Sequence, residues 1–253
     1  MAKFSNKFSM KSKYGALAVT ATPIVILAGI YVGMAYASRY AGKRKHKANA
    51  LGRSVSMGAL HGGKLAVRRL IDYQTYRASE TSSTDAEKEL KALLEMETLD
   101  VKSLQEIAAR LELSGKEGEA VEILRNALKD PEMQKKPHEA YEMEMLLAEM
   151  LIYKGDYAGA LKCRCLQENN ISDARRPLYK AIIHTILQDE EDKKGKEYFE
   201  EYKEIQSCLH WPPVSSEDNS DIQSLYISDF ERFEKAVRVL KDDIEMAKLR
   251  SDR

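Results

Sequence analysis

VKSLQEIAARLELSGKEGEAVEILRNALKDP, residues 101–131, is the stretch on which the fold turns. Leu104, Ile107, Ala108 and Leu111 recur every three or four positions, the spacing that gathers side chains on one face of an α-helix. Gly115 interrupts the run, Ala120, Leu124 and Ala127 resume it, and Pro131 closes it. Two short amphipathic helices joined by a glycine turn follow from that pattern. Ala108 and Ala120 are small where the helices would cross, and Leu104, Ile107, Leu111 and Leu124 fill the space around them.

The same arrangement recurs downstream. Leu147, Ala148, Leu151, Gly155, Tyr157 and Ala160 form a second unit, in which Ala148 and Ala160 each follow their counterparts by 40 positions. Arg164 and Gln167 stand there where the first unit has Leu124 and Ala127. A third unit reads Tyr179, Ile182, Ile183, Ile186, Gly195, Phe199 and Tyr202, with Ile183 at the expected small position. No strand-like alternation runs for a useful length, so the chain reads as all-α.

The hairpins over 101–207 resemble the tetratricopeptide repeat, a helix–turn–helix unit of 34 residues. The resemblance implies a solenoid over 84–207, opened by a capping box at Thr84-Asp85-Ala86-Glu87, with a groove lined by the first helix of each pair. By register it places Gln105, Ala109, Glu112, Glu142, Met145, Glu149, Lys180 and His184 in that groove as the partner-binding residues. Chaperone-tail-binding members use Lys, Arg and Asn to clamp a terminal carboxylate. Gln105, Ala109, Met145 and Glu149 at the matching places point instead to a neutral or basic peptide or helix. A loop at 208–220, broken by Pro212-Pro213, leads to a C-terminal capping helix over 221–250. Ile222, Tyr226, Phe230, Phe233, Val237, Leu240 and Ile244 give that helix a long apolar stripe, which would suit a partner helix as well as a cap.

Before the repeats the chain changes character. Residues 15–38, GALAVTATPIVILAGIYVGMAYAS, carry no charge, and as a helix they would span roughly 36 Å, enough to cross a bilayer. The expectation is a single transmembrane anchor after a basic tail (1–14), with Gly29 and Gly33 as a G-x-x-x-G pair for helix packing or a homodimer. Segment 39–83 then reads as a basic juxtamembrane stretch and polar hinge. Lys43, Arg44, Lys45 and Lys47 form a lipid-facing cluster, and 55–76 reads as a helix on the membrane.

Charge sharpens the division. No Asp or Glu precedes Asp72, whereas 13 of the 40 Lys and Arg do, so the rest of the chain carries −13. Beside a bilayer-length run, the basic part favours anionic lipid over nucleic acid, and the charge flanking the run places the later residues on the cytosolic, matrix or stromal side. The acid-free start favours a mitochondrial or chloroplast membrane.

Chemistry is sparse. Three cysteines are no disulfide framework, and Cys163-x-Cys165 would need Cys208 and His210 to complete a metal site. The five histidines lack i, i+4 spacing, and hydrolase, dinucleotide and kinase motifs do not occur. No catalytic, cofactor or metal residues are therefore assigned. The expected function is a membrane-anchored receptor, scaffold or assembly factor that binds a protein; the alternative is a structural subunit of an organellar membrane complex, ahead of an enzyme.

Overall fold

A computed structural model describes residues 52–78, 83–187, 193–208 and 227–251. Among these residues the chain is helical, without a strand. A hairpin of α1 (Arg53–His61) and α2 (Gly63–Ala78) turns at Gly62 and Gly63, both at positive φ. Next come α3 (Ser83–Leu94), α4 (Val101–Leu113) and α5 (Glu117–Leu128). The one-turn α6 (Pro131–Gln134) leads into the 18-residue α7 (Pro137–Lys154). Two short helices, α8 (Tyr157–Leu161) and α9 (Arg164–Gln167), precede the pair α10 (Arg175–Leu187) and α11 (Lys193–Cys208), and α12 (Phe230–Ser251) follows.

The starting stretch folds as its period requires. Asp100 accepts the backbone N–H groups of Lys102 and Ser103 and so satisfies the first turn of α4. Gly115, at φ 72°, makes the left-handed turn into α5. Leu104, Leu111, Ala120 and Leu124 are buried with Ala148, Leu151, Ala160, Tyr179, Ile183 and Phe199 in one core. Helix α3 packs on α4 and α5, α5 on α7, and α10 on α11 and α7. At the α10–α11 crossing the small residue is Gly195: a Cβ there would lie 2.7 Å from Thr185 Oγ1.

Three departures from regular hairpins have local causes. The helix opened at Tyr157 stops at Leu161 and restarts at Arg164, which leaves the Arg164 side chain 82% exposed. Unbroken, it would turn Arg164 and Gln167 to the face that α5 buries through Leu124. Helix α3 already includes Thr84, and Glu87 pairs with Lys116 instead of closing a capping box. The C-terminal helix begins at Phe230, not 221; residues 227–229 precede it, and Asp229 accepts the N–H of Arg232. Phe233 and Phe230 pack their rings at a tilt against Phe199 to seat this helix, with the Phe199–Phe233 ring centroids 4.6 Å apart.

The uncharged run 15–38 with Gly29 and Gly33, the cluster Lys43, Arg44, Lys45 and Lys47, and the loop bearing Trp211 lie outside the described residues. Among the described residues, no helix is long and apolar enough to cross a membrane.

The larger correction concerns α1 and α2. Part of the supposed membrane-surface stretch 55–76 is built into the protein. Met57 and Leu60 belong to the main core, and Val55, Ala66 and Leu70 form a small cluster of their own. Helix α1 packs between α12 and α4. Its apolar face meets protein, which already satisfies the hydrophobic demand that suggested a lipid surface.

Candidate interaction face

The eight residues assigned to a partner groove fall into two groups. Ala109, Glu112, Met145 and Glu149 are buried, at 1–4% exposure. They form no open groove, because the α1–α2 hairpin covers the carboxylates. A space of about 10 Å³ remains beside Gln105, Glu142, Met145 and Glu149, enough for a single water. Glu142 is half-buried and holds Arg175 with both oxygens at 2.8 Å. Lys180 and His184 sit elsewhere on α10, against Tyr198 of α11, the lysine 5.2 Å above its ring and the imidazole stacked on it.

Two arginines of the hairpin occupy the face. Arg53 is 3% exposed and uses its whole donor set. Its Nε donates to Glu112 Oε1, Nη1 to Glu117 Oε1 and the Tyr153 carbonyl, and Nη2 to the Glu112 carbonyl and Glu117 Oε2. Glu112 also accepts the backbone N–H groups of Arg53 and Ser54, so its charge caps the start of α1. Burial works against the Arg53 cation, but its carboxylate partners hold its pKa above the ordinary value.

Arg69, on α2, donates to Glu149 Oε1 at 3.1 Å. The same carboxylate accepts the Tyr153 hydroxyl at 2.6 Å and the Tyr179 hydroxyl at 2.8 Å. Burial pushes the Glu149 pKa up, yet Arg69 and the two hydroxyls outweigh it and hold the group below its usual range. Both tyrosines are driven well above 10, first by burial and then by that carboxylate, so they remain neutral donors. The site is an ion pair with its lone pairs satisfied, the condition under which a buried pair persists.

Two groups at the edge are less comfortable. Ser56 donates to Asp243 of α12 at 2.7 Å, but burial pushes the Asp243 pKa up to about 6. His61 lies edge-on to Tyr179, and its backbone carbonyl accepts the Tyr202 hydroxyl. Its Nε2 has no hydrogen-bond partner among the described residues, and burial lowers its pKa to about 4.

Sequence reasoning missed Arg53, Arg69, Tyr153 and Asp243. The available signal was Arg53 and Arg69 set among small and apolar residues in an otherwise amphipathic stretch. Two of the three cysteines are disfavoured as thiolates: burial raises the Cys163 thiol to about 11 and Cys165 further. Among the described residues no group of three His, Cys, Asp or Glu is placed to hold a metal.

No family model matches the chain, and neither the curated proteins nor the solved structures include a significant match. The resemblance to a tetratricopeptide-repeat protein behind a transmembrane anchor is therefore corrected. No repeat family matches, and no described helix can span a bilayer. The face that such a repeat leaves open is filled here by the chain itself.

Proposed function

We propose that this protein is a helical protein-interaction module, acting as a scaffold or assembly factor rather than an enzyme. The observation that carries this reading is how the body holds α1 and α2. Carboxylates from α4, α5 and α7 receive two arginines of a helical hairpin, and apolar side chains pack between them. This is helix-in-groove recognition, made within one chain. The hairpin is a keystone on this reading: it closes the helical body and leaves the outer helix faces for other proteins.

The test is the size of the native particle. The full-length chain, tagged at its own locus and crosslinked in intact cells, is expected in a complex of fixed composition, well above its own 28.7 kDa. Substitutions on one outer helix face should release it while far-UV circular dichroism stays unchanged. A chain that is monomeric at native abundance, or that turns over a small-molecule substrate, overturns the reading.

A further inference from the structure

Between α3 and α5 runs an open groove of about 790 Å³. Its floor is Leu94, Ile123 and Ala127, and Met96, just beyond Leu94, is half exposed. Its rim is acidic: Glu87, Glu95, Glu119, Glu122 and Asp130, against Lys91 and Lys154. Glu87 is paired with Lys116, Glu122 lies near Arg125, and Asp130 caps α6, so Glu95 and Glu119 are the rim acids with no ion pair among the described residues.

The start of α1 lies at the mouth of this groove. Arg53 binds Glu117 and the Tyr153 carbonyl, the immediate chain neighbours of Gly118 and Lys154, which line the groove's end. Gly52 rests so closely on Leu113 that a Cβ would lie 2.3 Å from its Cδ2. The described chain therefore starts against the last turn of α4, one short turn from the start of α5. Five positions earlier is Lys47, and Lys45, Arg44 and Lys43 precede it. Five residues reach at most about 17 Å, and α5 carries the rim from Glu119 to Asn126 over roughly 10 Å.

We propose that the α3–α5 groove is the docking site of this chain's own basic run, Lys43–Lys47. Charge and tether length select that occupant. Its positive charges meet an acidic rim, and covalent attachment supplies an effective concentration in the millimolar range, which a free partner would have to exceed. The proposal does not depend on the interaction-module reading, since it concerns a contact within one chain.

Crosslinking tests it in the full-length chain. Cys208 is first changed to Ser, leaving Cys163 and Cys165 buried. Ala48→Cys and Asn126→Cys are then joined by a bismaleimide of about 10 Å reach. The expected product is an intramolecular crosslink that forms about five-fold more slowly in Glu119→Lys/Glu122→Lys. Reversing Lys45 and Lys47 to Glu in that background should restore the rate. Circular dichroism checks that each variant is folded. A rate indifferent to both reversals, or a product only between two molecules, overturns the proposal. Capture of the run by phosphatidylserine vesicles with the crosslink indifferent to the groove reversal assigns these lysines to lipid and overturns it equally.

Discussion

Glu149→Lys separates an open groove from a filled one. On an open face the substitution would change partner binding and leave the fold intact. In this structure it places an ammonium beside the Arg69 guanidinium at a site where the native residue is 4% exposed. Breaking a buried pair by removing one partner costs about 3–5 kcal/mol. The Tyr153 and Tyr179 hydroxyls also lose their acceptor, at about 1–3 kcal/mol for each one left unsatisfied. The total is at least about 5 kcal/mol, comparable with the whole stability of an ordinary domain. The full-length protein should show a collapsed urea midpoint and lost helical signal.

Companion variants make this a graded test. Glu149→Gln keeps an acceptor but not the charge, so it should cost about 3 kcal/mol. Arg69→Met combined with Glu149→Leu removes both charges and should recover most of that loss. Glu142→Lys should cost about 1 kcal/mol, because the half-buried Arg175 keeps Asp173. The Glu149 carboxylate has a depressed pKa, so its contribution is full above the unfolded value near 4.5 and fades as pH falls through the lower folded value. A Glu149→Lys protein whose urea midpoint corresponds to a loss below about 0.5 kcal/mol would refute the seating of α2 on α7.

His61 and Asp243 oppose one another in acid. The folded pKa of His61, about 4 against 6.5, gives stability present above 6.5 and lost as pH falls toward 4. That of Asp243, about 6 against 3.8, destabilises above 6 and relieves the penalty as pH falls toward 3.8. Each is worth up to about 3 kcal/mol, so the two offset across this window. Asp243→Asn should raise stability at pH 7.5 and expose a decline below pH 6.5, while His61→Gln should expose a rise; thermal melts from pH 4 to 7.5 that show no change of slope in either variant would contradict both assignments. Gly58→Ala puts a Cβ 2.8 Å from Cβ and Cγ of Arg69 and should lower stability by about 1–3 kcal/mol, read from the melting temperature. A thiol reagent at pH 8 should label Cys208 alone in the native protein and all three cysteines in urea, and rapid native labelling at Cys163 would show its burial to be wrong.

Helix type was legible because period is local. Leu104, Ile107, Ala108 and Leu111 need only their own spacing to declare a helix, and Gly115 and Gly155 their own backbone freedom to end one. The filled face was illegible for the opposite reason. Arg53 meets Glu112 across 59 positions and Tyr153 across 100, and no window of sequence contains both partners. Glu112 and Glu149 look alike whether a groove carboxylate faces water, a partner or the chain's own arginine. The break at Cys163 was half legible: Arg164 and Gln167 signalled that the inward face was lost, but not that the helix would stop there.

Charge held the information that period lacked. An acid-free segment followed by a body of net −13 suggests two separate environments when each part is read alone, a lipid surface for one and water for the other. Read as one chain, the same imbalance is complementarity between tethered halves, and Arg53, Arg68 and Arg69 do meet Glu112, Glu117, Glu106 and Glu149. Coulomb attraction alone does not fix the fold, since an exposed pair contributes about 0–1 kcal/mol. What fixes it is the apolar burial of Met57 and Leu60, which draws the hairpin onto the body and takes the arginines out of water. Once there, an unpaired guanidinium would cost about 3–5 kcal/mol, which the carboxylates prevent. The asymmetry that suggests a membrane in the sequence is thus, from residue 53 to 69, the requirement for closing the protein on itself.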